Sequence, residues 1–152
     1  MDSKIVIADG GFSGNPDMVR QYISKKPEAL LQRGAGTGRG DGLRMAIAAG
    51  AQTIGMNRFY GHVMCRDVMQ NEKLWPYPVL DPIVHSAIVV DGTGRRFVNE
   101  GEGGVWVANN VAWHDEPLST VVVFDDAIWN GPAAQGIVAP NANMVKAGGR
   151  LF

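Results

Sequence analysis

Lys4-Ile5-Val6-Ile7-Ala8-Asp9-Gly10-Gly11-Phe12 is a short apolar run that stops on two glycines. A run of this length, rich in β-branched residues, is expected to form a buried strand over residues 5–8. A strand that ends in glycines lets backbone come close to a ligand. Further along comes Gly34-Ala35-Gly36-Thr37-Gly38-Arg39-Gly40-Asp41-Gly42-Leu43-Arg44-Met45-Ala46, and then Gly50-Ala51. A glycine loop that runs into a helix with Asp at its start offers free N–H groups and a carboxylate. The strand end and the loop together point to contacts with a nucleotide cofactor.

Around these two stretches the chain is ordinary in composition. Its 152 residues suffice for a domain with a real core. Charged residues make up 19% and the net charge is −1, which argues against a nucleic-acid binder with its basic patch. The 20 glycines show no repeat, so they serve turns and close backbone approaches. The single Cys65 has no partner for an internal disulfide, which fits a reducing compartment. No stretch approaches the roughly 18 apolar residues of a membrane span. The N-terminus lacks the basic-then-apolar layout of a signal peptide. These features describe a soluble, cytoplasmic protein.

The remaining segments alternate between helix and strand signals. Asn15-Pro16-Asp17 is a helix start, with Asn as cap and Pro in the first turn. Asp41 is expected to cap a helix over residues 42–49, with Gly50 at its C-terminal end. Residues 52–55 read as a short strand. Residues 58–82, with Pro76, Pro78 and Pro82, read as an irregular ordered loop. Residues 87–90 and 95–98 flank Asp91-Gly92-Thr93-Gly94, a hairpin pattern. Residues 102–113 suit a helix and residues 119–124 a β-branched strand. Asp125-Asp126 begins a helix that Gly131-Pro132 ends. The expected fold class is α+β, an α/β mixture. The two ends read as cut, with residue 4 already inside a strand and Gly148-Gly149-Arg150-Leu151-Phe152 leading out of a loop. That suggests a fragment of a longer protein.

The glycine loop matches neither common nucleotide fingerprint. A P-loop needs a Gly-Lys pair, and none occurs. The dinucleotide pattern G-x-G-x-x-G fails because Arg39 stands in the last glycine's place after Gly34-Ala35-Gly36. A tight turn followed by a capped helix remains a sufficient account of the loop on chemistry alone. His62-Val63-Met64-Cys65 lacks the second ligand cluster that a metal site needs. Trp75, Trp106, Trp113 and Trp129 suit a core better than a stacking platform. Asp125 and Asp126 suit a helix N-terminus.

Four motifs in order nevertheless resemble one family. Ala8-Asp9-Gly10-Gly11-Phe12 is similar to the Ala-Thr-Gly-Gly-Phe strand end of the fumarate reductase/succinate dehydrogenase-type flavoproteins. Gly40-Asp41-Gly42-Leu43-Arg44-Met45-Ala46 resembles their Gly-Asp-Gly helix. Gly94-Arg95-Arg96-Phe97-Val98-Asn99-Glu100 resembles their Gly-x-Arg-Phe-x-Asn-Glu signature, and Val123-Phe124-Asp125-Asp126 fits the strand and turn that follow. The resemblance implies an FAD-dependent oxidoreductase that acts on a CH–CH bond of a small organic acid or ketone by hydride transfer with the flavin. It implies that residues 1–57 are the end of an FAD-binding, Rossmann-like segment. Residues 58–152 would then be a truncated capping domain that covers the flavin and shapes the substrate pocket. Gly10, Gly11 and Asp41 would lie beside FAD. His62 matches the place of a histidine that binds a substrate carboxylate. Arg96 and Glu100 match the signature, but an ion pair that stabilises the hairpin is the simpler role for both.

Other positions depart from the family. Gly104 stands where fumarate reductases carry a proton-donating arginine, and Val79-Leu80 replaces a Thr-Glu pair. The Glu-Gly-x-Gly variant at Glu100-Gly101-Glu102-Gly103 more closely resembles the tricarballylate and 3-ketosteroid dehydrogenases of the same superfamily. The segments that hold the FAD pyrophosphate and complete the flavin site are not among these residues. The chain by itself is therefore expected to be inactive and to hold FAD weakly or not at all. Two alternatives stay open: a stand-alone, non-catalytic binding or interaction domain with the cap fold, and a different nucleotide binder that uses residues 34–42. An apolar strand at residues 5–8 without its sheet would also be a template for homo-oligomers.

Overall fold

The computed structural model describes residues 4–151, and these divide into two compact units that part between Arg58 and Phe59. In the first unit, helix formation follows local chemistry. The Asn15 side chain accepts the N–H groups of Asp17 and Met18, at 3.2 and 3.3 Å, and so caps α1 (Pro16–Tyr22). Pro16 sits where its missing N–H costs nothing, and Asp17 and Arg20 lie at the ends that suit their charges. The helix buries Met18, and its far end turns in on Ile23 and Ser24. Phe12 and Tyr22 meet with ring centroids 5.7 Å apart.

The glycine loop then folds back on the first motif. Gly14 N–H donates to Gly38 O at 2.8 Å, and Gly40 N–H donates to Gly11 O at 3.1 Å. The chain enters α2 (Asp41–Ala48) through Gly40 at φ 75°, a left-handed conformation that favours glycine. Asp41 is thus the first residue of the helix and not its cap. Ala49 closes the helix and Gly50 follows at φ 90°. Residues 5–8 and 52–55 are not strands in this structure, contrary to the sequence pattern. An apolar run needs a neighbouring strand to pair its backbone groups, and the described part of this unit contains no strand. Ile5 and Val6 are accordingly 84% and 90% exposed.

The second unit holds the main apolar core. The short β1 (Ile88–Val90) pairs antiparallel with β2 (Val121–Val123), in the register Ile88↔Val123 and Val90↔Val121. The expected hairpin is therefore present only as a single bridge, Val90↔Arg96. Its turn is real: the Asp91 carboxylate gathers the Thr93 hydroxyl (2.6 Å), the Thr93 N–H (2.8 Å) and the Arg95 N–H (3.0 Å). Those donors, the Thr93 hydroxyl foremost, hold the Asp91 carboxyl down at about 2.

Among the described residues, four α-helices complete this unit: α3 (Asp81–Val84), α4 (Gly104–Trp113), α5 (Asp126–Asn130) and α6 (Pro140–Ala147). Helix α4 starts at Gly104 because Gly103, at φ 92°, breaks the preceding turn. Asp125 caps α5 by accepting the Ile128 N–H at 2.9 Å, as its place in the sequence suggests. Gly148, at φ 83°, ends α6, and Phe152 lies outside the described residues. The stretch read as irregular contains two 3₁₀ turns, Arg66–Met69 and Glu72–Leu74, and cis bonds before Pro76 and Pro78. Leu74, Ile83, Val84, Val89, Val107, Ala133 and Met144 form the buried centre, with Trp75, Trp106 and Trp129 packed against it. Helices with a small antiparallel sheet make this a mixed α+β fold.

Candidate functional site

Gly10, Gly11 and Asp41 come together in the first unit through the paired loops. The glycines of these loops divide into two kinds. A Cβ built at Gly14 would collide with the carbonyl of Gly36, and one at Gly38 would lie 3.0 Å from Gly11 O. Those glycines serve backbone packing. At Gly10, Gly11 and Gly36 an added Cβ would meet nothing within 4 Å. Gly10 and Gly36 have positive φ, 90° and 73°, so turn geometry explains them, but Gly11 has no such need. The loop pair thus presents open backbone that a flat or extended ligand can approach.

The start of α2 carries a contact that sequence reasoning missed. The Asp9 carboxylate accepts the Gly42 N–H at 2.6 Å, thirty-three residues away in sequence. A Cβ at Gly42 would lie 2.7 Å from both Asp9 oxygens, so glycine is required for this approach. Asp9 therefore does the capping assigned to Asp41. The Asp41 side chain is freed for other work: it is 66% exposed and meets Arg44 one turn on. Two carboxylates at this helix end make it a poor phosphate site and a good acceptor site for hydroxyl or ring N–H donors. A dinucleotide carries such donors on its sugars and rings. The open glycines and these acceptors fit FAD.

His62 lies in the second unit, on a segment fastened at several points. Asn109, buried on α4, accepts the Phe59 N–H at 3.0 Å and donates to Phe59 O at 2.8 Å. The Val63 carbonyl accepts the Leu80 N–H at 2.8 Å. Between these ties, His62 Nδ1 lies 2.6 Å from Asp81 Oδ2, while Asp81 Oδ1 accepts the Val63 N–H at 3.1 Å. The Tyr60 ring stands edge-on to the imidazole at 5.2 Å. The His62 side chain is one-fifth exposed. Gly104 opens α4 directly against Asp81: a Cβ there would overlap Asp81 Cβ and Cγ and lie 2.7 Å from Oδ1. Asp81 is the second residue that the sequence did not single out.

Arg96 and Glu100 form an ion pair, but not across a hairpin. Glu100 is 2% exposed. One oxygen accepts the Val89 N–H at 2.6 Å and the other meets Arg96 Nη2 at 2.5 Å. Burial pushes the Glu100 carboxyl up. Its hydrogen bonds to Arg96 and to backbone N–H groups, with the Arg96 charge, outweigh that and hold it below the ordinary glutamate value. The pair ties the signature loop to β1, a structural role.

An open glycine loop with exposed acceptors beside it, on a mixed α+β chain, has room and polarity that suit a nucleotide cofactor. The chain belongs to the FAD binding domain family of FAD-dependent flavoprotein oxidoreductases, whose model matches residues 1–143. FAD is the cofactor of that family. The chain is also similar to "Vinyl phenol reductase" of Lactiplantibacillus plantarum (strain ATCC BAA-793 / NCIMB 8826 / WCFS1), with 41% identity over 51 residues. That match covers 34% of this chain and 10% of the reductase. No solved structure matches the chain. Among the described residues no helix is long and apolar enough to cross a membrane.

Proposed function

We propose that this chain is the part of an FAD-dependent oxidoreductase that brings Gly10, Gly11 and Asp41 to the flavin and His62 to the substrate. The reaction is hydride transfer across a CH–CH bond of a small organic acid or ketone. Residues 58–152 act as the capping domain and residues 1–57 as the end of the FAD-binding segment. The observation that carries the cofactor side is the open backbone at Gly11, a glycine that neither a positive φ nor a close neighbour explains. The similar protein named as a vinyl phenol reductase supports an oxidoreductase reading. When bound, FAD supplies the hydride acceptor or donor. The residues of this chain orient cofactor and substrate and exclude water.

Gly11→Ala is the test. The substitution meets no atom within 4 Å, so the melting temperature should hold or rise slightly, by the usual effect of a tolerated Gly→Ala change. Flavin content per chain should fall in the polypeptide that carries this domain. Unchanged flavin content would remove Gly11 from the cofactor site. A polypeptide that neither holds flavin nor turns over a CH–CH substrate would favour the non-catalytic binding domain.

A further inference from the structure

The contact between His62 and Asp81 has the form of an oriented base. We propose that His62 carries the substrate proton through Nε2, and that Asp81 is the positioning residue that fixes the imidazole for it. The proposal rests on the oxidoreductase reading above.

A carboxylate has only acceptors, so the 2.6 Å contact places a proton on Nδ1 of His62. The neutral ring then has its free lone pair on Nε2, the nitrogen away from Asp81. Asp81 is itself held. Its Oδ1 takes the Val63 N–H, it opens α3, and Gly104 backs it so closely that no side chain fits there. The ring is fixed by the same segment, through Asn109 at Phe59 and through Leu80 at Val63. Among the described residues the ring's one hydrogen bond is on the Nδ1 side, and the side chain keeps a fifth of its surface open. Tyr60, 82% exposed, stands edge-on beside it.

The step balances in either direction. In oxidation, one C–H bond breaks and its hydride, with the electron pair, goes to the oxidised flavin. The C–H bond on the adjacent carbon gives its proton to His62 Nε2, and its electron pair becomes the new C=C bond. The imidazole leaves the step as an imidazolium, with its charge facing the Asp81 carboxylate. In reduction, the same Nε2–H returns the proton to carbon as hydride arrives from the reduced flavin.

Ring-nitrogen NMR of the ¹⁵N-labelled chain, at a pH where the imidazole is neutral, tests the positioning claim without any cofactor. His62→Gln assigns the signals against His85 and His114. The wild type should show the Nδ1–H tautomer. Asp81→Asn should reverse it to Nε2–H, because an asparagine that still accepts the Val63 N–H turns its amide donor toward Nδ1. A wild-type Nε2–H ring, or a tautomer unmoved by Asp81→Asn, would overturn the proposal. In the flavin-loaded polypeptide, Asp81→Asn should lower kcat about 10²–10⁴-fold with KM held, the range for a positioned acid or base. A parallel rise in KM with kcat unchanged would make His62 a binding group only and defeat the proton role. A wild type that turns over no CH–CH substrate brings down the functional reading and the proton step together, while the tautomer still decides the positioning.

Discussion

Asp9 accepts the N–H of Gly42 across 2.6 Å, and that bond ties the end of the first apolar run to the start of α2. The negative carboxylate lies at the positive end of the helix, where both charge and hydrogen bonding favour it. Gly42 makes the approach possible, and Gly40 supplies the left-handed turn that leads into it.

Asp9→Ala is expected to cost about 0.5–2 kcal/mol, the range for loss of a helix cap. Urea unfolding of wild type and variant measures it. A difference within the error of the extrapolation would mean that water replaces the carboxylate at Gly42 without penalty.

Asp41→Ala should separate fold from cofactor. Its partner Arg44 is exposed, and such helix pairs contribute about 0.3–0.5 kcal/mol. Stability should hardly move, while flavin content in the loaded polypeptide should fall. Intact flavin content would leave Asp41 a surface residue.

These positions also show what the sequence could reveal. Asn15 and Asp125 cap helices, as expected, because capping joins residues two or three apart. Residues 121–123 form a strand where β-branched side chains cluster. The apolar run at residues 5–8 announced burial but named no partner, and pairing decides whether such a run becomes a strand. The turn at Asp91 was legible from its residues, yet β1 pairs along its length with β2 and across that turn only through the bridge Val90↔Arg96, and local chemistry does not encode a partner thirty residues away. His62 is singled out only by its match to the place of a histidine in the resembled family. Asp81, nineteen residues on, carries no signal of its own in the sequence, and the contact that gives it meaning is made by the fold.

The Arg96–Glu100 pair predicts a pH effect. Glu100 has a folded pKa below its ordinary 4.5, so the folded state binds this proton less readily than the unfolded chain. Its stabilisation is complete above pH 4.5 and is lost as pH falls through the lowered folded value. Arg96→Ala removes the partner and leaves burial pushing the carboxyl up. The variant should be less stable at neutral pH and lose less further stability below pH 4.5. Denaturant midpoints across that range are the readout. Parallel curves for the two proteins would show that the backbone N–H bonds alone set the Glu100 pKa.

The Asp91 carboxyl should titrate at about 2 in the folded chain. The Thr93 hydroxyl leads the interactions that lower it, so Thr93→Ala should move the titration up toward 3.8 while the two N–H bonds remain. Carboxyl-carbon NMR follows the residue directly. An unmoved titration would assign the shift to the backbone of the turn.

Gly104 and Asp81 should be coupled in stability because they compete for the same space. A Cβ on residue 104 would overlap Asp81 Cβ and Cγ, and overpacking of this kind costs typically about 1–3 kcal/mol. Gly104→Ala should therefore destabilise the chain and displace the Asp81 carboxylate from His62, which the ring-nitrogen spectrum reads independently. Asp81→Gly alone loses the ties to His62 and Val63. With both substitutions the collision is gone, so the double variant should be more stable than the sum of the single effects predicts. Contacting residues commonly show couplings of about 0.5–3 kcal/mol. Additive effects would mean that α4 shifts to admit the methyl group, and that Gly104 is not what keeps a larger side chain, an arginine included, out of this position.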